Sequence, residues 1–242
     1  MALFKRRDRS EDADVEVDAD GTAPDGAAAA EPTRSAPASG PWDASDAPTG
    51  DGVHRIDLGG MRVPVPPGTE VRVDVNKDTV VAATLAREGS ALQVNVFAAP
   101  RSEGIWDEVR EEIAASLGRS GGQAETSEGP LGTELVATVP TQQPSGDVLM
   151  APARFVGVDG PRWFLRALLT GPAARDEAAA APLLAALRDV VVVRGTDPMA
   201  VRDPIPLRLP PDAQKASDAA QAAQAGDPLA LQERGPEITE TR

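Results

Sequence analysis

Apolar and polar residues alternate along much of the middle of the chain, and this pattern predicts a series of β-strands. The strongest example is residues 153–170, where two apolar runs flank Asp159-Gly160, a dipeptide typical of hairpin turns. Phe155, Trp163 and Phe164 lie in this segment, although the whole chain has only three tryptophans and four phenylalanines. Because large aromatic side chains contribute most to a core, we expect this hairpin to organise the domain.

Shorter alternating runs predict further strands on both sides of this hairpin. A first hairpin is expected around Gly59-Gly60, and four consecutive β-branched residues at 190–193 predict a short buried strand. Residues 119–129 are polar and predict a loop. The remaining predicted strands are residues 71–75, 79–86, 91–98, 131–139 and 148–151.

Two segments have helical periodicity instead. The first is expected to begin at Ser102 as N-cap and to end near Gly118, and the second covers residues 173–188 with an interruption at Pro182. The order of strands and helices predicts an α+β fold. We expect a mostly antiparallel sheet of about eight or nine strands, with both helices packed on one face.

Composition divides the chain into four parts. Residues 1–49 are acidic and poor in large apolar residues, which predicts a disordered acidic N-terminal arm, and residues 50–200 form the α+β domain. Residues 201–211 form a proline-rich strap, and residues 212–242 a flexible or partly helical tail. Trp42 is an anchor within the arm. It either docks on the domain, beside the strap, or belongs to a partner-recognition motif.

Charge and residue content exclude several classes of function. The net charge of −14 disfavours binding to duplex nucleic acid, and the absence of cysteine excludes disulfides and thiolate chemistry. No apolar run is long enough for a transmembrane helix, so we expect a cytoplasmic protein. The basic residues 1–9 could give at most weak membrane contact, because stable anchoring usually needs two signals.

Four segments resemble an uncharacterised actinobacterial family. They are IDLGGMRVPVP at 56–66, FAAPRSEGIWDEVREEI at 97–113, RFVGVDGPRWFLRALLTG at 154–171 and VVVRGTDPMAVRDPIPLRLP at 191–210. The resemblance covers residues from about 40 to 211 and includes the Gly-Pro-Trp-Asp element around Trp42. The family is labelled only as a domain of unknown function, so the resemblance implies no activity. The strand–helix order is also loosely similar to the Mog1/PsbP-like α+β sandwich, an analogy that concerns the fold alone.

The sequence gives little support for a site built from conventional catalytic groups. His54 is the only histidine, and no Ser-centred elbow or metal motif accompanies it. The predicted first helix carries acidic residues at spacings that could hold Mg²⁺, although a solvated helix face explains them more simply. These acidic residues are Asp107, Glu108, Glu111 and Glu112. The sequence therefore predicts no catalytic residues, no cofactor and no metal ligands.

The central hairpin concentrates arginines beside aromatic residues. If Gly157 pairs with Arg162, then Arg154 shares a face with Trp163, whereas Arg166 points the other way. Arginines in this setting can clamp a carboxylate or a phosphate, or can simply pair with an acidic residue of the protein. The candidate binding surface consists of Arg154, Arg162, Trp163, Arg166 and Trp42.

Two hypotheses follow for function. The first is a non-catalytic cytoplasmic interaction module with an unknown protein partner, because catalytic groups are lacking while Phe4 and Trp42 offer anchors. The alternative is a small-ligand-binding protein or an enzyme that uses carboxylates and the hairpin arginines. A pocket containing Arg154 or Arg162 with buried acidic residues would favour the alternative, and an exposed apolar patch would favour the module.

Overall fold

The structure is a computed structural model that describes residues 40–76, 79–142, 146–210 and Lys215. The expectations for residues 1–39, including membrane contact by residues 1–9, lie outside the described residues. So do the expectations for the C-terminal tail, apart from Lys215.

The described residues form eleven strands and two α-helices. The strands are β1 Trp42–Asp43, β2 Arg55–Asp57, β3 Met61–Pro64, β4 Glu70–Asn76, β5 Thr79–Arg87, β6 Ser90–Ala98, β7 Gln123–Gly129, β8 Gly132–Gln142, β9 Val148–Gly160, β10 Trp163–Thr170 and β11 Val191–Val192. The helices are α1 Trp106–Arg119 and α2 Glu177–Arg188, and a short 3-10 turn, Gly171–Ala174, precedes α2. The predicted α+β class is confirmed.

The strands form two sheets, so the prediction of one sheet was wrong. The larger sheet has seven antiparallel strands in the order β4-β5-β6-β10-β9-β8-β7, and the smaller has four in the order β1-β11-β3-β2. The chain leaves the smaller sheet after β3, where Pro66 and Pro67 lead into a turn closed by the Thr69 N–H and the Pro66 carbonyl. Proline has no N–H to donate, so these two adjacent prolines end the pairing of β3, and the chain next pairs as β4 in the larger sheet.

The two helices pack on opposite faces of the larger sheet, not on one face as predicted. Strand β10 explains this arrangement, since it carries large apolar residues on both of its faces. Trp163 and Leu165 belong to the main core with α2 and the smaller sheet. Phe164 points the other way, into a second core with Trp106 of α1. A sheet that is apolar on both faces needs cover on both sides.

Helix α1 begins later than predicted, at Trp106, and its cap comes from a distant strand. One carboxylate oxygen of Asp159 accepts from the Ile105 N–H at 2.8 Å, and the other accepts from the Trp106 N–H at 3.3 Å. This carboxylate takes the capping role that we expected for Ser102, because an anion at the helix N-terminus satisfies free N–H groups. Gly104 permits the contact, since a Cβ there would lie too close to the Asp159 carboxylate.

The polar segment predicted as a loop is largely the edge strand β7. It pairs with β8 from Gln123 opposite Thr138 to Gly129 opposite Gly132. Most of its side chains are exposed, so the strand has no apolar alternation to reveal it. Polar residues are common on edge strands, where backbone pairing rather than burial holds the strand.

The turn of the central hairpin lies two residues beyond the predicted one. Gly160 pairs with Trp163, so Pro161 and Arg162 form the turn, with Arg162 at φ +64°. Arg154 consequently pairs with Leu169 rather than Leu165. The shift is an even number of residues, so the predicted faces remain correct: Arg154 shares a face with Trp163, and Arg166 points the other way.

The strap is extended and joins the two sheets. The Ile205 N–H donates to the Val96 carbonyl of β6 at 3.0 Å, and the Arg208 N–H donates to the Leu58 carbonyl beside β2 at 2.8 Å. Ile205 and Leu207 are buried between these contacts. Pro204 and Pro206 suit a segment that makes isolated bridges rather than a continuous ladder.

Candidate functional site

Arg154 is buried, and it is already paired with acidic residues of the protein. Its Nε donates to Glu134, which is also buried, and one terminal nitrogen contacts Glu177 of α2 at 2.6 Å. Burial alone would lower the pKa of Arg154. The hydrogen bonds and charges of Glu134 and Glu177 outweigh that effect and raise the pKa above its ordinary value.

This ion triad is a structural feature rather than a binding pocket. Arg154 and Glu134 expose almost no surface, so a ligand has no access to them. Paired buried charges are costly to separate, because removal of one leaves the other without compensation in a medium of low polarity. Arg154 therefore fixes β8, β9 and α2 together.

Trp163 is buried as well, and it explains how the Trp42 segment docks. Its indole N–H donates to the Asp43 carboxylate at 2.9 Å. Trp42 itself is half-buried, and strand β1 pairs in parallel with β11 through the Trp42 N–H and the Val190 carbonyl, 2.9 Å apart. The docking partner is thus β11 and not the strap beside which we expected Trp42.

Arg162 and Arg166 do not meet Arg154. Arg162 lies in the hairpin turn, where its carbonyl accepts from the Ala99 N–H at 2.9 Å. Arg166 lies on the α1 face, with its guanidinium carbon 5.5 Å from the centre of the Phe97 ring. Burial lowers the pKa of Arg166, and the one hydrogen bond described for its side chain goes to Asn95 at 3.4 Å.

Arg166 lines a hollow of about 140 Å³ between α1 and the sheet. A second arginine on its wall, Arg202, contacts Glu108 and Glu112 at 2.9 Å each. Two of the acidic residues considered for Mg²⁺ thus hold an arginine, and Asp107 contacts Arg110 at 2.8 Å. In the described ranges, no three His, Cys, Asp or Glu side chains form a group that could hold a metal ion.

The sole histidine also lies apart from these groups. His54 is exposed just before β2, and its carbonyl accepts from the Val65 N–H at 3.0 Å. The predicted site residues therefore occupy separate places: a buried triad, the docked strand β1 with Trp163, a turn and a small hollow.

Within the described ranges, the most exposed apolar surface is one that the sequence pattern did not predict as a surface. Strands β8 and β9 continue past their neighbours, since β7 pairs with β8 as far as Thr138 and β10 pairs with β9 as far as Ala153. Residues 140–142 and 148–150 beyond these points form what we call the hairpin tip. It exposes Val148 by 62%, Leu149 by 56% and Met150 by 47%.

The sequence contains a signal for this surface. Val148, Leu149 and Met150 are consecutive, so successive side chains point to opposite faces and both faces of the tip are apolar. A strand with two apolar faces is normally buried, and the sequence predicts only a strand at residues 148–151. The sequence pattern does not show that the layers that cover the rest of β9 end before residues 148–150.

The chain belongs to the family described as protein of unknown function DUF3710, which it matches over residues 40–216. This match confirms the expected resemblance to a domain of unknown function. No curated protein matches the chain.

Among solved structures, the chain is similar to the solution structure of cyanobacterial PsbP (CyanoP) from Synechocystis sp. PCC 6803. The two are 11% identical with a TM-score of 0.35, and the alignment covers 58% of this chain and 92% of that one. A similarity of this size carries no argument about function. None of the helices in the described part of the chain combines the length and apolar character needed to span a bilayer.

Proposed function

We propose that this chain is a non-catalytic protein-interaction module and that the hairpin tip is its contact surface. The observation that carries the proposal is the run Val148–Leu149–Met150, three consecutive apolar side chains exposed on both faces of a two-stranded projection. Exposed apolar side chains that adjoin one another commonly mark interaction sites. An isolated two-stranded hairpin is also marginally stable in water, so a partner would stabilise the tip.

Charge indicates the kind of partner. The chain has a net charge of −14, whereas Asp147 is the only charged residue from Pro140 to Ala153. Two copies of so acidic a chain repel each other, which disfavours a homodimer at this surface. The expected partner is a different protein that has an apolar contact surface flanked by basic residues.

The alternative function, a small-ligand-binding protein or enzyme built on the hairpin arginines, has less support. Arg154 is enclosed in its triad and Arg162 lies in a turn, whereas Arg166 lines a hollow. That hollow of about 140 Å³ is well below the roughly 300–1,000 Å³ usual for ligand pockets. The proposal includes the cytoplasmic location expected from the sequence, which fractionation of the host cells tests.

Site-specific photo-crosslinking in the native host tests the contact surface. A photoreactive amino acid is placed at position 149 in the tip or, as a matched control, at position 75, where Val75 is 53% exposed on β4. We expect position 149 to give a discrete adduct with one different protein, and position 75 to give none. That protein is then purified for direct binding measurements.

Binding to the purified partner completes the test. Replacement of Val148, Leu149 and Met150 by serine should weaken binding by about tenfold or more, since apolar anchors dominate interface energies. Replacement of the exposed Val75 and Val81 by serine is the control and should leave binding unchanged. A tip crosslink to a second copy of this chain, or equal adducts from both positions, would overturn the proposal.

A further inference from the structure

A second feature independent of the hairpin tip is a cavity of about 350 Å³ where the strap crosses the smaller sheet. We call it the strap pocket. The Gly59-Gly60 turn forms one side, the residues that follow β11 form another, and the strap closes the third. Its volume lies within the range of roughly 300–1,000 Å³ usual for small-molecule sites.

The walls of the strap pocket are closely packed. A Cβ on Gly60 would lie 2.6 Å from both the Ile205 side chain and the Pro206 carbonyl, so only glycine lets the strap approach the turn. The Val193 N–H donates to the Gly60 carbonyl at 2.9 Å and fixes the opposite wall. Val193, Met199 and Ile205 supply apolar surface to the lining.

Two arginines line this pocket without carboxylate partners. Arg194 is half-buried, and one of its terminal nitrogens donates to the Asp197 carbonyl at 3.1 Å. Its Nε is buried and has no hydrogen-bond partner. Arg208 is exposed, and its side chain lies over Gly59. In the described ranges neither arginine forms an ion pair, in contrast to Arg202 with its two glutamates.

We propose that the strap pocket binds a small organic monoanion, a carboxylate attached to an apolar body. Neither guanidinium group has a carboxylate partner among the described residues, and a carboxylate oxygen is the acceptor that a guanidinium binds best. The apolar wall would cover the rest of the ligand. Asp197 also lines the pocket, and its charge favours a ligand with one negative charge over a polyanion.

The methionines allow a direct test on the full chain. Met199 lines the strap pocket, Met150 lies in the hairpin tip and Met61 is in the core, so ¹³C-methyl methionine NMR reports on all three. Octanoate is the probe, and octan-1-ol is its uncharged counterpart. Octanoate should shift the Met199 signal and leave Met150 and Met61 unchanged, and octan-1-ol should bind about tenfold or more weakly.

Variants test which guanidinium groups bind octanoate. Arg194→Gln should weaken octanoate binding by about tenfold or more, and Arg208→Gln should weaken it by a smaller factor because that side chain is exposed. Arg101→Gln changes an exposed arginine outside the pocket and should have no effect. If Arg194→Gln does not fold, Arg208→Gln still decides the outcome.

Three results would overturn the assignment: no Met199 shift at millimolar octanoate, equal affinity for octanoate and octan-1-ol, or an equal loss in Arg101→Gln. A failure of the strap-pocket assignment is distinguishable from a failure of the proposed function. Partner binding at the tip should shift Met150 and not Met199.

Discussion

Strand β9 carries apolar side chains on both faces along much of its length, but only its second half is covered. Val156 is buried against the main core, and Phe155 packs against the second core beneath α1. Leu149 and Met150, from the same strand, are about half exposed. The covered half stabilises the fold, whereas the uncovered half is available to another molecule. The neighbouring layers, not the residue types, make this difference.

The largest expected effect lies in the covered region. Trp163→Ala should destabilise the protein by about 3–5 kcal/mol, because it empties a fully buried aromatic site. The measurement is the free energy of unfolding in urea. Trp163→Phe keeps most of the packing but loses the N–H bonded to Asp43, so it should cost less. A loss below about 1 kcal/mol for the alanine variant would contradict the core position of Trp163.

The second prediction concerns the triad that joins β9 to α2. Arg154→Met should cost about 3 kcal/mol, because it leaves the buried Glu134 without its cation. Glu177→Gln should cost less than about 1 kcal/mol, because Glu177 is mostly exposed and surface ion pairs contribute little. Thermal or chemical unfolding measures the stability of each variant, and the two losses are then compared. Equal losses would show that the triad behaves as a surface pair.

A smaller effect is expected where the Trp42 segment docks. Asp43→Ala should cost about 1–3 kcal/mol, since the indole N–H of Trp163 loses its acceptor in the interior. Trp42→Ala should also lower the melting temperature, because half-buried apolar surface is lost. Asp43→Asn retains an acceptor and is the control. Unchanged stability in both alanine variants would show that β1 contributes nothing to the fold.

The smallest effect on stability is expected at the hairpin tip. Serine at positions 148, 149 and 150 should change the free energy of unfolding by less than about 1 kcal/mol, because these side chains are exposed in the free chain. The same variant should lose partner binding. A large loss of stability would mean that the tip is covered within the chain itself, and the contrast between the two halves of β9 would disappear.

Several elements could be predicted from local pattern. The hairpin around Gly59-Gly60 and the pair β5 and β6 follow from alternation and turn residues, and the short strand β11 follows from its β-branched run. The helical periodicity of α1 also predicted the helix correctly, although the predicted start was wrong. Strand β7 could not be predicted, because its pairing is made by backbone groups, and the alternation of side chains does not reveal such pairing.

The candidate site was less predictable than the fold. The sequence indicates that Arg154 shares a face with Trp163, and this is correct even though the predicted register was not. It does not indicate that Glu134 would be the partner of Arg154, since these residues are 20 positions apart and meet only when β8 pairs with β9. The strap pocket is similarly hidden, because Arg194, Arg208 and Gly59 come together only when the strap crosses the smaller sheet.

The sequence by itself determined the α+β class, most strands and the faces on which their side chains lie. These properties depend on spacing within one segment, which alternation and turn residues encode directly. Only the tertiary structure decided that the strands split into two sheets, that Asp159 caps α1, and that Val148–Met150 remain uncovered. Each of these depends on contacts between segments far apart in the chain, and local periodicity does not specify such contacts.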